Sequence, residues 1–205
     1  MRRIFVLLSA TIIAHAVFAQ RFTVSEGDLA FVIAPQGNAI TQVTQGIESL
    51  PIDHVAIMHR IGGNDGLLYA LEAVPNGGVC LTPVDSFLCA NGIENVIIGR
   101  VDDLDALRSV RKALSYVGLP YDFNYMPDDS SIYCSELVQK SYVNNAGEPV
   151  FNTIPMSFHD AAGNITAYWQ QHYAKQGLEV PEGAPGTNPG QLSRDNHVTI
   201  FPFQF

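Results

Sequence analysis

Charge is sparse in this sequence, and positive charge is sparser still. Lysine and arginine together number 11 against 20 acidic residues, the formal net charge is −9, and no basic block interrupts the chain. A cationic face able to neutralise phosphates is therefore missing, which excludes sequence-independent nucleic-acid binding. Beyond Phe18 no apolar run approaches the ~20 residues a membrane span requires. Metal-ligand spacings of the C-x-x-C, H-x-x-x-H and H-E-x-x-H kinds are absent as well, so the sequence makes no case for a metal or any other cofactor. Cysteines number three, too few for a disulfide framework, and the odd count leaves at least one thiol unpaired within the chain. Cys80 and Cys89 could bridge or could pack as two buried thiols; Cys134 is the one left over.

What is present is a globular composition, 47% hydrophobic and 15% charged, in 205 residues without repeat, low-complexity tract or dividing linker. That length and composition fit one folded domain. Its first 19 residues stand apart. Arg2 and Arg3 precede an apolar run from Ile4 to Phe18 that closes on Val17-Phe18-Ala19 before Gln20, the pattern of a cleaved signal peptide. Ser9, Thr11 and His15 break a run already too short for a membrane span. The expectation is a secreted or periplasmic protein, cut after Ala19, with its domain in residues 20–205.

Strand-like runs occur at 28–33, 54–61 and 67–74, the last two joined by Gly62-Gly63-Asn64-Asp65-Gly66, which reads as a hairpin. A short helical piece follows at 84–89, then a strand at 95–101. Asp102 or Asp103 can cap a helix in which Leu104, Leu107, Val110, Leu114 and Val117 recur at helical spacing before Gly118. Helices are expected over 134–143 and 158–173, a Pro/Gly loop over 180–190 bordering the functional cleft, and a closing strand over 197–201. Strands on both sides of a helical stretch give an α+β domain.

Cys134 falls where the polar loop 127–131 gives way to a helical pattern. A thiol at a helix N-terminus meets unpaired N–H groups and the positive end of the helix dipole, an environment that favours thiolates. In the hairpin, period-2 alternation puts His54, Ala56, Met58 and Arg60 on one face. A register pairing residues whose numbers sum to 128 sets Ala56 opposite Glu72 and His54 diagonal to it; a sum of 126 sets Glu72 directly opposite His54. Either lets the carboxylate orient the imidazole, giving Cys134, His54 and Glu72 as candidate nucleophile, base and orienter. His59 points to the other face, and His159, His172 and His197 have no acid at a suggestive spacing.

Gly118-Leu-Pro-Tyr121-Asp-Phe-Asn-Tyr125, followed by Tyr133-Cys134-Ser135-Glu136-Leu137-Val138, resembles the G-x-P-Y and D-C-S-G-L-V signature of NlpC-type cell-wall cysteine peptidases, with Tyr133 and Glu136 replacing the Asp and Gly. In those enzymes cysteine precedes histidine. Here the order is His54, Glu72, Cys134, so the chain is similar to the circularly permuted branch, the YiiX/YebB-like (YaeF/YiiX) papain-fold cysteine hydrolases. Gly27-Asp28-Leu-Ala-Phe, Asp53-His54-Val-Ala-Ile, Leu71-Glu72-Ala73, Thr82-Pro83-Val-Asp-Ser-Phe-Leu and the tail 181–190 agree with that branch.

The resemblance implies a permuted papain-like fold in which an antiparallel sheet bearing His54 and Glu72 packs against helices, among them the one bearing Cys134. It also implies acyl transfer to water on a small-molecule amide or peptide, with the Cys134 N–H contributing to an oxyanion hole and Tyr121, Tyr133 and Ser135 contacting substrate. Two other functions share the pattern. A lipid-directed acyl hydrolase or acyltransferase uses the same His-before-Cys order, and a ligand-binding member would keep the fold without turnover.

Overall fold

A computed structural model describes residues 23–63, 65–102 and 105–202, so the expected leader, with its cleavage point, and Leu104 lie outside the described residues. Six strands, β1 (Leu29–Ile33), β2 (Ile52–Ile61), β3 (Leu67–Val74), β4 (Gly78–Pro83), β5 (Val96–Val101) and β8 (Val198–Pro202), form one sheet in the order β4-β3-β2-β1-β5-β8. Every neighbouring pair is antiparallel. A two-stranded ribbon joins β6 (Ile154–Pro155) to β7 (Pro185–Gly186). The helices are α1 (Val84–Asn91), α2 (Ala106–Leu114), α3 (Cys134–Ser141), α4 (Ala167–Ala174) and α5 (Pro189–Leu192).

Alternation along the strands builds a core on each face of the sheet. Leu29, Phe31, Val55, Ile57, Leu71 and Ala73 enter one core with Val110 and Ala113 of α2 and Leu137 and Val138 of α3. Ala30, Val32, Ala56, Met58, Ala70, Val96 and Ile98 enter the other, closed by Phe87 of α1. A third cluster, Met156, Phe158, Trp169 and Tyr173, lies beside α4.

The hairpin takes the first expected register, with Ile57 opposite Leu71 and Met58 opposite Ala70. Three expectations need correction, and one strand went unread: the segment 78–83, paired with β3. Gly78 turns into it at φ +61, and a Cβ there would strike the Leu119 carbonyl, so only glycine permits this packing.

The helix expected over 104–117 is shorter. Asp105 caps it by accepting from the Arg108 N–H at 3.1 Å, and Leu107 and Val117 are exposed. Of the helix expected over 158–173 only 167–174 forms. Asp160 accepts from the backbone of Ala162 and Asn164, Gly163 adopts φ +81, and His159 bridges Ile165, so the segment is a turn until Thr166. The Pro/Gly tail carries regular structure after all: β7, then α5, which has proline at its first position and an Asn188 cap accepting from Gln191 N–H at 2.7 Å.

Candidate active site

A slip in the β1–β2 ladder prepares the site. Val32 faces His54 but Ile33 faces Ile52, so Asp53 is an extra residue on β2. Such a bulge bends a strand and re-aims its side chains, and here Ile52 and Val55, three positions apart, enter the same core. His54 emerges at this bend with its Nε2 2.7 Å from Oε2 of Glu72 on β3. Its ring lies 6.4 Å from that of Phe87, which closes the apolar side.

Cys134 is the first residue of α3, behind Tyr133 as N-cap. The helix packs on β2 and β3, which brings the thiol close enough to act on His54. Nε2 is committed to Glu72, which leaves Nδ1 as the free ring nitrogen. Burial opposes charge on this imidazole, but the hydrogen bonds and charges of Cys134 and Glu72 outweigh it and push the group up to about 10. The imidazolium therefore persists through neutral pH.

All three cysteines are unbridged. Cys80 is partly buried and Cys89 exposed, so the pairing or joint burial expected of them is not seen. Cys134 is only 4% exposed.

The thiol opens into a narrow cavity of about 50 Å³. Ile40, Val43, Met156 and Phe158 make its apolar wall, and Tyr121, Tyr133 and Ser135 line it with Cys134. Two contributors went unread in the sequence. Tyr125 closes the G-x-P-Y stretch and adopts φ 53, a left-handed conformation that strains a tyrosine. Asp122 holds it there, its two carboxylate oxygens accepting from Asn124 and Met126 N–H at 2.7 Å each. Burial raises both the Tyr121 and the Tyr125 phenol, Tyr125 to about 12. Both are neutral hydroxyls at physiological pH. The second unread contributor is Asp53, hidden beside the histidine.

Tyr133 forms the far wall. Its hydroxyl accepts from Thr187 N–H at 3.0 Å, and a Cβ on Gly186 would collide with Met156, so the tail approaches closely only because residue 186 is glycine. Thr187, Asn188 and Pro189 thereby line the cavity, the part of the tail that borders the cleft. Ser135 Oγ is wholly buried and has no hydrogen-bond partner among the described residues. Behind Cys134, Glu136 reaches back to Tyr133 N–H at 3.4 Å and pairs with Lys140 at 2.9 Å. Burial outweighs both contacts and pushes this carboxyl up to about 7.

A buried thiol, imidazole and carboxylate at a helix N-terminus, on strands that precede the helix in sequence, make a papain arrangement with its halves exchanged. The family model for the permuted papain-like amidase enzymes, YaeF/YiiX, C92 family, matches residues 23–201. The chain belongs to this family. Within the YaeF/YiiX family it is 28% identical over 159 residues to YiiX of Escherichia coli strain K12, an uncharacterized protein, the match covering 71% of this chain and 77% of that protein. It also resembles the crystal structure of the metalloprotein YiiX from Escherichia coli O157:H7, with a TM-score of 0.70 and 25% identity over 88% of this chain and 97% of the other. No group of three or more His, Cys, Asp or Glu side chains among the described residues is arranged to hold a metal ion, so the residues present do not fit that name. Nor is any helix among them long and apolar enough to cross a membrane.

Proposed function

We propose that this YaeF/YiiX-family protein is an exported cysteine amidase that hydrolyses an amide bond in a small peptide, cell-wall fragment or N-acyl compound. The observation that carries the reading is the 2.7 Å pair of His54 with Glu72 next to the Cys134 thiol, which opens α3 and lines a narrow cavity. Cys134 Sγ attacks the carbonyl carbon, and the oxyanion formed is met by the N–H groups at the start of α3. His54 then gives its proton to the leaving nitrogen, the C–N bond breaks, and a thioester remains. Water adds to the thioester as His54 takes its proton, and the acid departs with the thiol restored.

Glu72 keeps the ring oriented and stabilises its charged form. The unpartnered Ser135 hydroxyl supports a substrate contact, since a buried hydroxyl without a partner is costly until a ligand supplies one. The neutral Tyr121 hydroxyl on the cavity wall supports a second. Export rests on the leader in residues 1–19, and the intact mass of secreted protein is expected to begin at Gln20.

Site-resolved alkylation by iodoacetamide as a function of pH tests the chemistry. Cys134 is expected to react faster than Cys89 of the same molecule near pH 6.5, the ordinary histidine value, and His54→Ala is expected to abolish that advantage. Equal rates at the two cysteines would overturn the assignment. Trapping of an acyl group on Cys134 from a panel of small amides, read by intact mass, then separates an enzyme from a binding protein.

A further inference from the structure

Among the described residues lining the cavity, Asp53 is the one Asp, Glu, Lys, Arg or His side chain. Its orientation is set from outside. The amide of Asn38 uses Oδ1 to accept from Ile40 N–H at 3.0 Å and Thr41 N–H at 3.1 Å, which leaves Nδ2 to point at Asp53 Oδ2. A carboxamide nitrogen only donates, so Asp53 is held as an acceptor. The bulge gives the carboxylate its place, since Asp53 is the inserted residue next to His54. The remainder of the lining is apolar or uncharged, so a carboxylate fixed there is a specific instruction to a ligand.

We propose that Asp53 recognises a cationic amine carried by the substrate close to its scissile carbonyl, an inference that rests on Cys134 being the reactive group of this cavity. An ammonium group donates charge-assisted hydrogen bonds to a preorganised carboxylate, and in an apolar cavity these strongly favour the charged ligand over a neutral isostere. Burial alone pushes the Asp53 carboxyl above its ordinary range, against the pull of Asn38 and His54. A bound cation would relieve that penalty. The adjacent His54 is the other group that the Asp53 charge reaches, so the experiment must separate recognition of substrate from support of the imidazolium.

Thiosulfonate reagents make this separation without requiring turnover. Methyl methanethiosulfonate is neutral and its 2-aminoethyl analogue cationic; each transfers its thiol half to the cysteine as a mixed disulfide and releases methanesulfinate. Rates at Cys134 and Cys89 are followed by mass spectrometry in the intact protein and in Asp53→Asn. The aminoethyl-to-methyl ratio at Cys134 is expected to exceed that at Cys89 by about tenfold, the scale of one charge-assisted hydrogen bond. In Asp53→Asn the Cys134 ratio should fall to the Cys89 value, and Asp53→Glu should restore part of it.

An equal fall of both rates at Cys134 would show Asp53 acting through His54, and an unchanged ratio would show no recognition; either overturns the proposal. So would failure of both reagents to reach Cys134. A high ratio that collapses in Asp53→Asn, with no amide hydrolysed, would leave amine recognition standing and remove only the amidase reading.

Discussion

Two histidines on one strand each bind a glutamate at 2.7 Å, His54 with Glu72 and His59 with Glu26. Distance does not distinguish them, and neither does exposure of the ring, 19% for His54 and 15% for His59. The environments differ. Glu72 is 7% exposed and Glu26 21%, and Glu26 divides itself between His59 and the Arg60 N–H. His54 has a thiol on its other side, whereas the groove beside His59 presents Arg60 and no cysteine among the described residues. A histidine–carboxylate pair is thus only an orienting device. What sets His54 apart is a third group, the thiol brought by a different element.

That contrast can be broken at several points. Replacing the third group has the largest effect: Cys134→Ala is expected to cut amide turnover more than about a thousandfold, measured against the same substrate panel. Because this thiol is buried in the core, the variant should also unfold at slightly lower temperature, by calorimetry. Next comes the base. His54→Ala is expected to reduce turnover toward the upper end of the ~10²–10⁴-fold range of a general acid–base, whereas His59→Ala should change kcat by less than about twofold and lower Tm by a few degrees. A comparable loss in both variants would erase the distinction between the pairs.

Glu72→Gln sharpens the comparison through pH. The folded value of His54, about 10, lies above the ordinary 6.5, so the stability it contributes is complete below pH 6.5 and is lost as pH rises through about 10. An amide still orients the ring but withdraws the charge. The variant should retain activity reduced about a hundredfold, and its loss of Tm with rising pH should be smaller and finish at lower pH than in the parent. The smallest effects belong to the other cysteines. Cys80→Ala, at a partly buried strand position, should cost about 1 kcal/mol, and the exposed Cys89→Ala less than about 0.5 kcal/mol, by denaturant unfolding. Neither should alter turnover.

Much of the fold was legible because it is written in local periodicity. β3 ends where the apolar run 67–74 ends, and the glycine-rich turn fixed the hairpin register that brings Glu72 toward His54. Where a short-range polar contact competes with periodicity, the reading went astray. Asp160 captured the backbone that aromatic spacing alone would have made helical, and Asp105 moved the start of α2. Cys134, His54, Glu72, Tyr121, Tyr133 and Ser135 could be named because each sits in a motif with its own chemical sense.

Asp53 and Tyr125 stood in those same motifs but carried no such mark. One gains its place from a bulge that exists only once β1 and β2 are paired, the other from a left-handed backbone held by Asp122. The cavity wall, too, joins residues 40–43, 121–135, 156–158 and 187–189, which no spacing along the chain connects. By itself the sequence determined which thiol, imidazole and carboxylate were candidates and which strands present the last two, since both follow from residue type and near-neighbour alternation. Only the tertiary structure decided how deeply the thiol is buried, which carboxylate lines the cavity and how narrow that cavity is, because burial, field and shape belong to contacts between distant segments.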